Sequence, residues 1–386
     1  MKEFKVYHRS EHPISRKNIS PYALKVLYRL RSQGFWSFLV GGALRDLLRG
    51  IEPRDFDVAT NADIPEIKNI FRNARVIGKR FPIVHVYFGS DLIEISSLKA
   101  EGDYTKYELL RADALQRDFT VNSIFYDIND FRILDPLGAV AHIKENRIVP
   151  IGNAVEKFQE DPVRMLRALK LEIKHGFSLD SETEAAIRRC APCLVDVGPG
   201  RRYEEMTRIL FSDFREAMLV RCQELNLLAP IWENGSRLMK EQGPELFTRA
   251  ATTTPIHMSR GSYAKHSHTH FWFRLYLLTG LYKDTLSLSE AREQLDLFLE
   301  PLGMPFRHPL VEGLVGLSLM GAGQGEELRK LSRESRQLIG GYLEHYKPEW
   351  MASFAELAGE KRDERKPVKG KRRRRRWRGR GPKHAR

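Results

Sequence analysis

The segment RDFDVAT, residues 54–60, constrains this chain most, because carboxylates and apolar side chains alternate along it. Successive side chains of a β-strand point to opposite faces, so Asp55 and Asp57 are expected on one face and Phe56 and Val58 on the other. Adjacent carboxylates repel each other, and a divalent cation between them removes that conflict. The pattern predicts either a metal site with Asp55 and Asp57 as ligands, or a solvated strand edge.

A strand, a diglycine turn and a short helix are predicted just before this segment, in FLVGGALRDLLRG at residues 38–50. The first three residues are apolar, as in a buried strand, and the leucines that follow recur at helical spacing. A diglycine at such a junction lets a phosphate approach backbone N–H groups at the positive end of a helix. Gly41, Gly42 and Arg45 are therefore predicted to bind a phosphate, whereas the two glycines alone would indicate only a tight turn.

Three further motifs follow in order along the chain: QRDFTVNSIFYDI at 116–128, DPLGAVAHIKENRI at 135–148 and EDPVRMLRA at 160–168. Together with the first two segments they resemble the nucleotidyltransferase superfamily, in the branch that contains bacterial poly(A) polymerases and CCA-adding enzymes. The resemblance covers roughly residues 14–225. It implies an α/β head with a mixed sheet and helices, followed by all-α neck and body domains. It also implies nucleotidyl transfer with Mg²⁺ as cofactor and ATP as substrate.

The segment RDFTVN alternates in the same way, so Asp118, Thr120 and Asn122 are expected on one face of a strand. The resemblance implies that Asp118 joins the first two carboxylates as the third acidic residue. Glu94, which alternates with two isoleucines in LIEISSL, competes for that role. The resemblance further implies that Arg117 and Asn122 bind the nucleotide, and a surface cation is the alternative for Arg117.

A helix start is predicted in EDPVRMLRALKLEIKHGF, with Asp161 as the N-cap and Pro162 as the first helical residue. The resemblance implies that Asp161 and Arg164 read the incoming base, with Arg167 also binding the nucleotide. A carboxylate acceptor beside guanidinium donors matches adenine and cytosine alike, and rejects guanine and uracil. The alternative is a simple cap at Asp161 and a solvent-facing Arg164. The expected packing stripe of this helix is Val163, Leu166 and Leu169.

Composition and the pattern of apolar residues divide the chain into five parts. We expect an N-terminal extension at 1–20, a catalytic head at 21–150, a helical neck without strands at 151–225, a helical body at 226–357 and a disordered tail at 358–386. Residues 361–386 contain 15 lysines and arginines against two acidic residues, and so carry +13 of the net charge of +14. Such a segment cannot bury a core, and its natural ligand is a polyanion.

RNA is the predicted partner of two basic segments. The tail contains five consecutive arginines beside a tryptophan, a composition that binds RNA through counterion release and stacking. A solubility or localisation tail is the alternative, and RNA-decay proteins are possible partners of the same segment. VIGKRFPIVHV, residues 76–86, is similar to a short basic signature of bacterial poly(A) polymerases. The predicted RNA contacts are Lys79, Arg80, Arg372, Arg373, Arg374, Arg375 and Arg376.

These features predict template-independent addition of AMP to RNA 3′ ends. Addition of CCA or A to tRNA is the alternative within enzymes, and a non-catalytic RNA-binding protein is a distant one. The sequence has no run of 18 apolar residues and no signal-like N-terminus, so a cytoplasmic location without a membrane span is expected. Three cysteines are too few for a disulfide framework. We expect no metal or redox role for Cys190 and Cys193, and a polar loop for KHSHTH at 265–270.

Overall fold

A computed structural model describes residues 4–78, 82–89, 91–98 and 104–251, together with isolated positions between 275 and 343. The chain divides into two compact units, Met1–Thr254 with Asp296–Pro305 and Pro255–Leu295 with Phe306–Arg386. The elements given below all belong to the first unit. The predicted domain boundaries remain predictions, and Lys79, Arg80, the KHSHTH segment and the whole basic tail lie outside the described residues.

An eight-stranded mixed sheet forms the head within the described residues. The strands are β1 (Lys5–Tyr7), β2 (Ser37–Val40), β3 (Asp57–Thr60), β4 (Ala74–Ile77), β5 (Ile83–Phe88), β6 (Asp91–Ser97), β7 (Phe125–Asp127) and β8 (Arg132–Asp135). They lie side by side in the order β1-β8-β7-β2-β3-β6-β5-β4, and β3 and β6 run parallel to each other, whereas the other neighbouring pairs are antiparallel. The mixed sheet confirms the predicted architecture of the head.

Helices accompany this sheet, and their starts are set by local capping. The side chain of Asp63 caps the helix Ile64–Ile70 (α3) and that of Thr105 caps the helix Lys106–Gln116 (α4), each paired with a glutamate three residues later. Short 3-10 turns occur at Arg9–Glu11, Arg16–Asn18 and Thr120–Asn122. The helices of the head are α1 (Pro21–Ser32), α2 (Gly42–Leu48), α3 (Ile64–Ile70), α4 (Lys106–Gln116) and α5 (Ala139–Lys144).

The sheet packs against α4 through an apolar cluster that contains central strand residues and one face of the helix. Burial of these side chains removes apolar surface from water, at about 25 cal/mol for each Å². This packing fixes the positions of β2 and β3, whose adjacent ends carry the diglycine turn and Asp57. The members of the cluster are Phe38, Val40, Ala59, Leu98, Leu110, Ala114, Phe125 and Leu134.

The neck is helical, as predicted, except for one short strand. Ser178–Leu179 (β10) pairs in parallel with Arg147–Ile148 (β9), so the expectation of no strand after residue 151 was wrong. A two-residue strand is too short to show a period in the sequence. The helices are α6 (Ala154–Glu160), α7 (Val163–His175), α8 (Ser181–Cys190), α9 (Pro199–Leu210), α10 (Arg215–Glu224), α11 (Leu228–Ile231), α12 (Glu233–Gln242) and α13 (Glu245–Ala251), with a 3-10 turn at Ala191–Asp196.

An ion-pair hub links three of these neck helices. The guanidinium of Arg221 on α10 lies 2.9 Å from Glu172 on α7, 2.6 Å from Glu184 on α8 and 3.1 Å from Glu224 on α10 itself. The predicted stripe of α7, Val163, Leu166 and Leu169, is buried. Helix α7 is thus held on one face by apolar packing and on another by Arg221. Of the helices described, none has the length and apolar character needed to span a membrane.

Candidate active site

The diglycine turn joins β2 to α2 as predicted. Gly41 has a φ of 72°, a conformation that side chains rarely adopt, and it is the N-cap residue of α2. A Cβ atom on Gly41 would lie 3.2 Å from Asp57 Oδ2 and 3.7 Å from Arg117 Nη1. Glycine is therefore required at position 41 for two reasons, the backbone conformation and the close approach of the Asp57 carboxylate.

Asp57 is the first residue of β3, but Asp55 lies before the strand, so the prediction that both occupy one strand was wrong. Asp57 pairs with Val40, the last residue of β2. Because the chain turns at Gly41, β2 offers no residue that could pair with Asp55 in the same ladder. The predicted alternation of burial nevertheless holds, since Phe56 and Val58 are buried while Asp55 is exposed.

The carboxylate of Asp57 is costly to ionise in this position. Burial, together with the nearby charges of Glu94 and Asp55, raises its pKa to about 6, against the opposite effect of Arg117. Glu94 is the residue of β6 that lies opposite Asp57 in the parallel ladder. The carboxylates of Asp55, Asp57 and Glu94 thus carry more negative charge than Arg117 balances, and a divalent cation would supply the missing positive charge.

The residues present fit Mg²⁺, which prefers oxygen ligands and is often held by one or two carboxylates with substrate phosphates. In the part of the chain that the structure describes, no three histidine, cysteine or acidic side chains converge as a metal site. The fit therefore rests on Asp55 and Asp57, on the raised pKa of Asp57, and on the space that Gly41 leaves beside its carboxylate. Which acidic residue would join this pair is left open by the geometry.

Residues Thr120–Asn122 form a 3-10 turn rather than the predicted strand, and Phe119 before them forms an isolated antiparallel β-bridge with Pro150. Asp118 Oδ1 accepts hydrogen bonds from Phe119 N at 2.8 Å and from Asn122 Nδ2 at 3.1 Å, and these local bonds favour a turn. Asp118 and Asn122 still lie together, because one turn brings them to the same side. Arg117 donates to Asp113 Oδ2 and to the carbonyl of Asn122, at 2.9 and 3.1 Å.

Arg45 is 6% exposed and its guanidinium is bound on three sides. Its Nε donates to Asp46 Oδ1 at 2.9 Å, and its Nη1 donates to Asn122 Oδ1 at 2.8 Å. Its Nη2 lies 3.4 Å from His175 Nε2. Sequence reasoning identified Arg45 and Asn122 but missed Asp46 and His175, because the contacts of His175 connect residues 130 positions apart.

A cleft of about 680 Å³ brings most of the predicted residues together. Its head wall contains Gly42, Arg45, Asp55, Asp57, Asp118 and Asn122, and its neck wall contains Arg167. The neck wall also carries cations that sequence reasoning did not single out. Arg167 Nη1 lies 3.6 Å from Asp118 Oδ2, so the two walls are in contact beside the carboxylates. The additional cations of the neck wall are Lys170, Lys174 and Arg208.

Asp161 and Arg164 are outside the lining of this cleft, at the start of α7. The helix begins one residue later than predicted, with Pro162 as the N-cap, although Asp161 Oδ1 still accepts from Val163 N at 3.3 Å. Asp161 Oδ2 accepts from Arg201 Nη2 at 2.9 Å. Arg164 Nη1 donates to Glu160 Oε2 at 3.2 Å and to the carbonyl of Lys157 at 3.3 Å. Both predicted base readers therefore have protein partners.

The three cysteines are free thiols. Cys190 and Cys222 are buried, and burial raises the pKa of both. A raised pKa makes a thiol less reactive. The expectation of no metal or redox role for Cys190 and Cys193 stays a prediction.

A mixed sheet with a diglycine turn and apposed carboxylates, followed by a helical neck, defines a nucleotidyltransferase-type head. Comparison with protein families agrees, because residues 37–149 match the poly A polymerase head domain. Residues 176–238 match the family described as the probable RNA and SrmB-binding site of polymerase A. The solved structure of the Bacillus stearothermophilus CCA-adding enzyme in complex with CTP is similar, with a TM-score of 0.56 and 24% identity, over 88% of this chain and 83% of that one. A similarity at this level concerns the fold.

Curated relatives place the chain in one family. Poly(A) polymerase I of Haemophilus influenzae is 32% identical over 331 residues, which cover 77% of this chain and 73% of the relative. The chain therefore belongs to the family of bacterial poly(A) polymerases and CCA-adding enzymes. Poly(A) polymerase I of Salmonella typhimurium is 38% identical over 62% of this chain, and the match spans only 56% of that relative. The CCA-adding enzyme of Geobacillus stearothermophilus is 33% identical over 54% of this chain and 53% of that enzyme.

Proposed function

We propose that this protein adds AMP from ATP to RNA 3′ ends without a nucleic-acid template. The observation that carries the proposal is the carboxylate cluster at Asp57, in one cleft with Arg45, in a chain whose head matches the poly A polymerase head domain. Relatives named poly(A) polymerase I favour AMP as the nucleotide that is added. A cytoplasmic location, and binding of RNA-decay proteins by the tail, belong to the same proposal.

In the proposed reaction the 3′-hydroxyl oxygen of RNA attacks the α-phosphorus of ATP, and pyrophosphate leaves. Asp55 and Asp57 would hold Mg²⁺, which lowers the pKa of the attacking hydroxyl and neutralises charge on the phosphates. Gly41 leaves room beside the Asp57 carboxylate. Arg45 would hold a phosphate oxygen through the N–H group on Nη1 that its protein partners leave available.

The remaining predicted residues would bind the base, the phosphates and sugar of ATP, and the RNA. Asp161 would accept from the exocyclic amine of adenine, and Arg164 would donate to its ring nitrogen. Arg117, Asn122 and Arg167 would bind the phosphates and sugar. Lys79, Arg80 and the arginine run at 372–376 would bind the RNA backbone, which positions the 3′ end but carries no sequence information.

Addition of CCA or A to tRNA is the second candidate, because CCA-adding enzymes are also relatives and the proposed base readers fit adenine and cytosine. The test uses purified full-length protein with a generic RNA and with tRNA that lacks its CCA end. Each nucleotide is supplied alone and then all together, and product lengths are read on a gel. Long A ladders on both RNAs support polyadenylation. A stop after three nucleotides on tRNA alone would replace it with CCA addition.

The metal role is tested by Asp55→Ala, with the exposed Asp196→Asn as a matched control. We expect Asp55→Ala to abolish AMP addition and leave RNA binding nearly unchanged, while the control behaves as wild type. Retained addition would exclude Asp55 from metal binding. Asp118→Asn and Glu94→Gln then separate the two candidates for the third carboxylate. Substitution of the residue that helps to bind the metal will raise the Mg²⁺ concentration needed for the half-maximal rate.

A further inference from the structure

His175 lies between the head and the neck at the end of the cleft that carries Arg45. We call this end the phosphate end, because Arg45 is the residue proposed to bind the phosphates. It is the last residue of α7, and its side chain is 11% exposed. Its Nε2 is 3.4 Å from Arg45 Nη2, and its Nδ1 is 3.5 Å from Asp46 Oδ1. One imidazole thus contacts both members of the Arg45–Asp46 pair on α2, from a helix that begins at the proposed base readers.

The electrostatic surroundings fix the protonation state of this imidazole. Burial and, to a smaller extent, the neighbouring cations lower the pKa of His175 to about 3. A neutral imidazole has one N–H donor and one acceptor. Because Arg45 can only donate, Nε2 is the acceptor and the proton resides on Nδ1, which faces the carboxylate of Asp46. Asp46 is its acidic neighbour, and the cations that surround it are Arg45 on α2, Arg49 directly after α2, and Lys170 and Lys174 on α7.

The contact with His175 completes the restraint on Arg45. A guanidinium has five N–H groups. Nε and Nη2 of Arg45 both lie 2.9 Å from Asp46 Oδ1, Nη2 also lies 3.4 Å from His175 Nε2, and Nη1 donates to Asn122. One N–H on Nη1 therefore remains for a phosphate oxygen, and a hydrogen bond from a charged donor to a phosphate is a strong one. A side chain restrained in this way loses less conformational entropy when the phosphate binds.

We propose that His175 is a positioning residue that orients Arg45 for the triphosphate and connects the phosphate end of the cleft to α7. Helix α7 has 13 residues, and a helix of that length spans about 20 Å. Its first turn carries Arg164 and its last carries His175, so one rigid element sets the distance between base recognition and phosphate recognition. The inference rests on the proposed nucleotidyl transfer.

The test compares His175→Leu, His175→Asn and His175→Gln in the full chain. Glutamine can donate to Asp46 and accept from Arg45, leucine can do neither, and asparagine is too short to reach both. We expect the Kd and KM for ATP to rise about 3- to 10-fold in the leucine and asparagine variants, the size of a lost neutral hydrogen bond, and to stay within about twofold in His175→Gln. We expect RNA affinity and kcat to change little.

Two controls separate positioning from general loosening. Ile187→Val, in the core of α8, removes one buried methylene and should lower the melting temperature without changing the Kd for ATP. In an Arg45→Lys background, His175→Leu should have no further effect on that Kd, because the two residues act as one unit. An equal effect in both backgrounds, or an unchanged Kd in His175→Leu and His175→Asn, would overturn the inference.

Binding of ATP is measured without RNA, so a wrong positioning role for His175 and a wrong proposed function give different results. If the wild type binds ATP and only the effect of His175 is missing, the positioning role is wrong and the proposed function stands. If the wild type neither binds ATP nor extends RNA, the proposed function is wrong and the role of His175 falls with it.

Discussion

Replacing Asp57 with asparagine should stabilise the protein while abolishing nucleotide addition. The folded-state pKa of Asp57 is about 6, above its ordinary value of 3.8, so the folded chain binds a proton more tightly than the unfolded chain. Stability from this group is therefore present at low pH and is lost as the pH rises through about 6. At neutral pH the whole cost of the buried charge is present.

The magnitude follows from the pKa shift. About two pKa units correspond to about 3 kcal/mol of the free energy of unfolding at neutral pH. This pKa shift already includes the attraction to Arg117. Asparagine has nearly the same shape and never ionises, but its amide must find hydrogen-bond partners in a largely buried position, so the expected net gain is about 1–3 kcal/mol. For a chain of this size we expect the melting temperature to rise by about 1–4 °C.

Thermal melting followed by circular dichroism, with a chelator present, measures this gain near neutral pH and at about pH 4, where the advantage of asparagine should shrink. Added Mg²⁺ should raise the melting temperature of the wild type, because a ligand that binds only the folded state stabilises it, and should have a smaller effect on Asp57→Asn. The control is Asp196→Asn, which should match the wild type throughout. A lower melting temperature of Asp57→Asn near neutral pH would refute the reasoning.

Four further outcomes are expected. Gly41→Ala should slow AMP addition at least about tenfold and destabilise the fold by about 1–2 kcal/mol, because its φ is positive and the new Cβ crowds Asp57; steady-state rates and melting curves test this. Arg221→Met should cost about 1–3 kcal/mol in urea unfolding, because three glutamates lose their shared partner. Removing residues 358–386 should weaken RNA binding and flatten its dependence on salt concentration, and an unchanged slope would count against an RNA role. Below pH 6.5 the wild type should lose stability more steeply than His175→Gln in melting experiments, because the depressed pKa of His175 favours the unfolded state as pH falls.

The sequence was most predictive where local pattern and burial agree. The strand before Gly41, the helix after Gly42 and the buried stripe of α7 all depend on spacing within one element, and each is present in the fold. The same reasoning failed for RDFTVN, where alternation fits a strand. There Phe119 N donates to the side chain of Asp118. Asn122 N donates to the carbonyl of Phe119 at 3.0 Å, which is the hydrogen bond of a 3-10 turn, so a turn forms instead.

Contacts between distant segments were beyond prediction from sequence. No local pattern indicates that His175 lies against Arg45, or that Arg201 lies against Asp161, because both contacts depend on how the neck packs. The position of Glu94 opposite Asp57 likewise depends on the parallel pairing of β3 and β6. These contacts decide the charge balance of the candidate site.

The partners of the proposed base readers have a consequence for selectivity. Asp161 is 21% exposed and its partner Arg201 is 45% exposed, while Arg164 is 14% exposed and its partner Glu160 is 54% exposed. Ion pairs with a solvated member contribute only about 0–1 kcal/mol, so an adenine would replace them at little cost. Guanine or uracil, in which the donor and acceptor positions are reversed, would displace the same pairs without replacing their hydrogen bonds. Each unsatisfied group would then cost about 1–3 kcal/mol. Discrimination at this site would therefore come from rejection of guanine and uracil, with only modest affinity for the correct base.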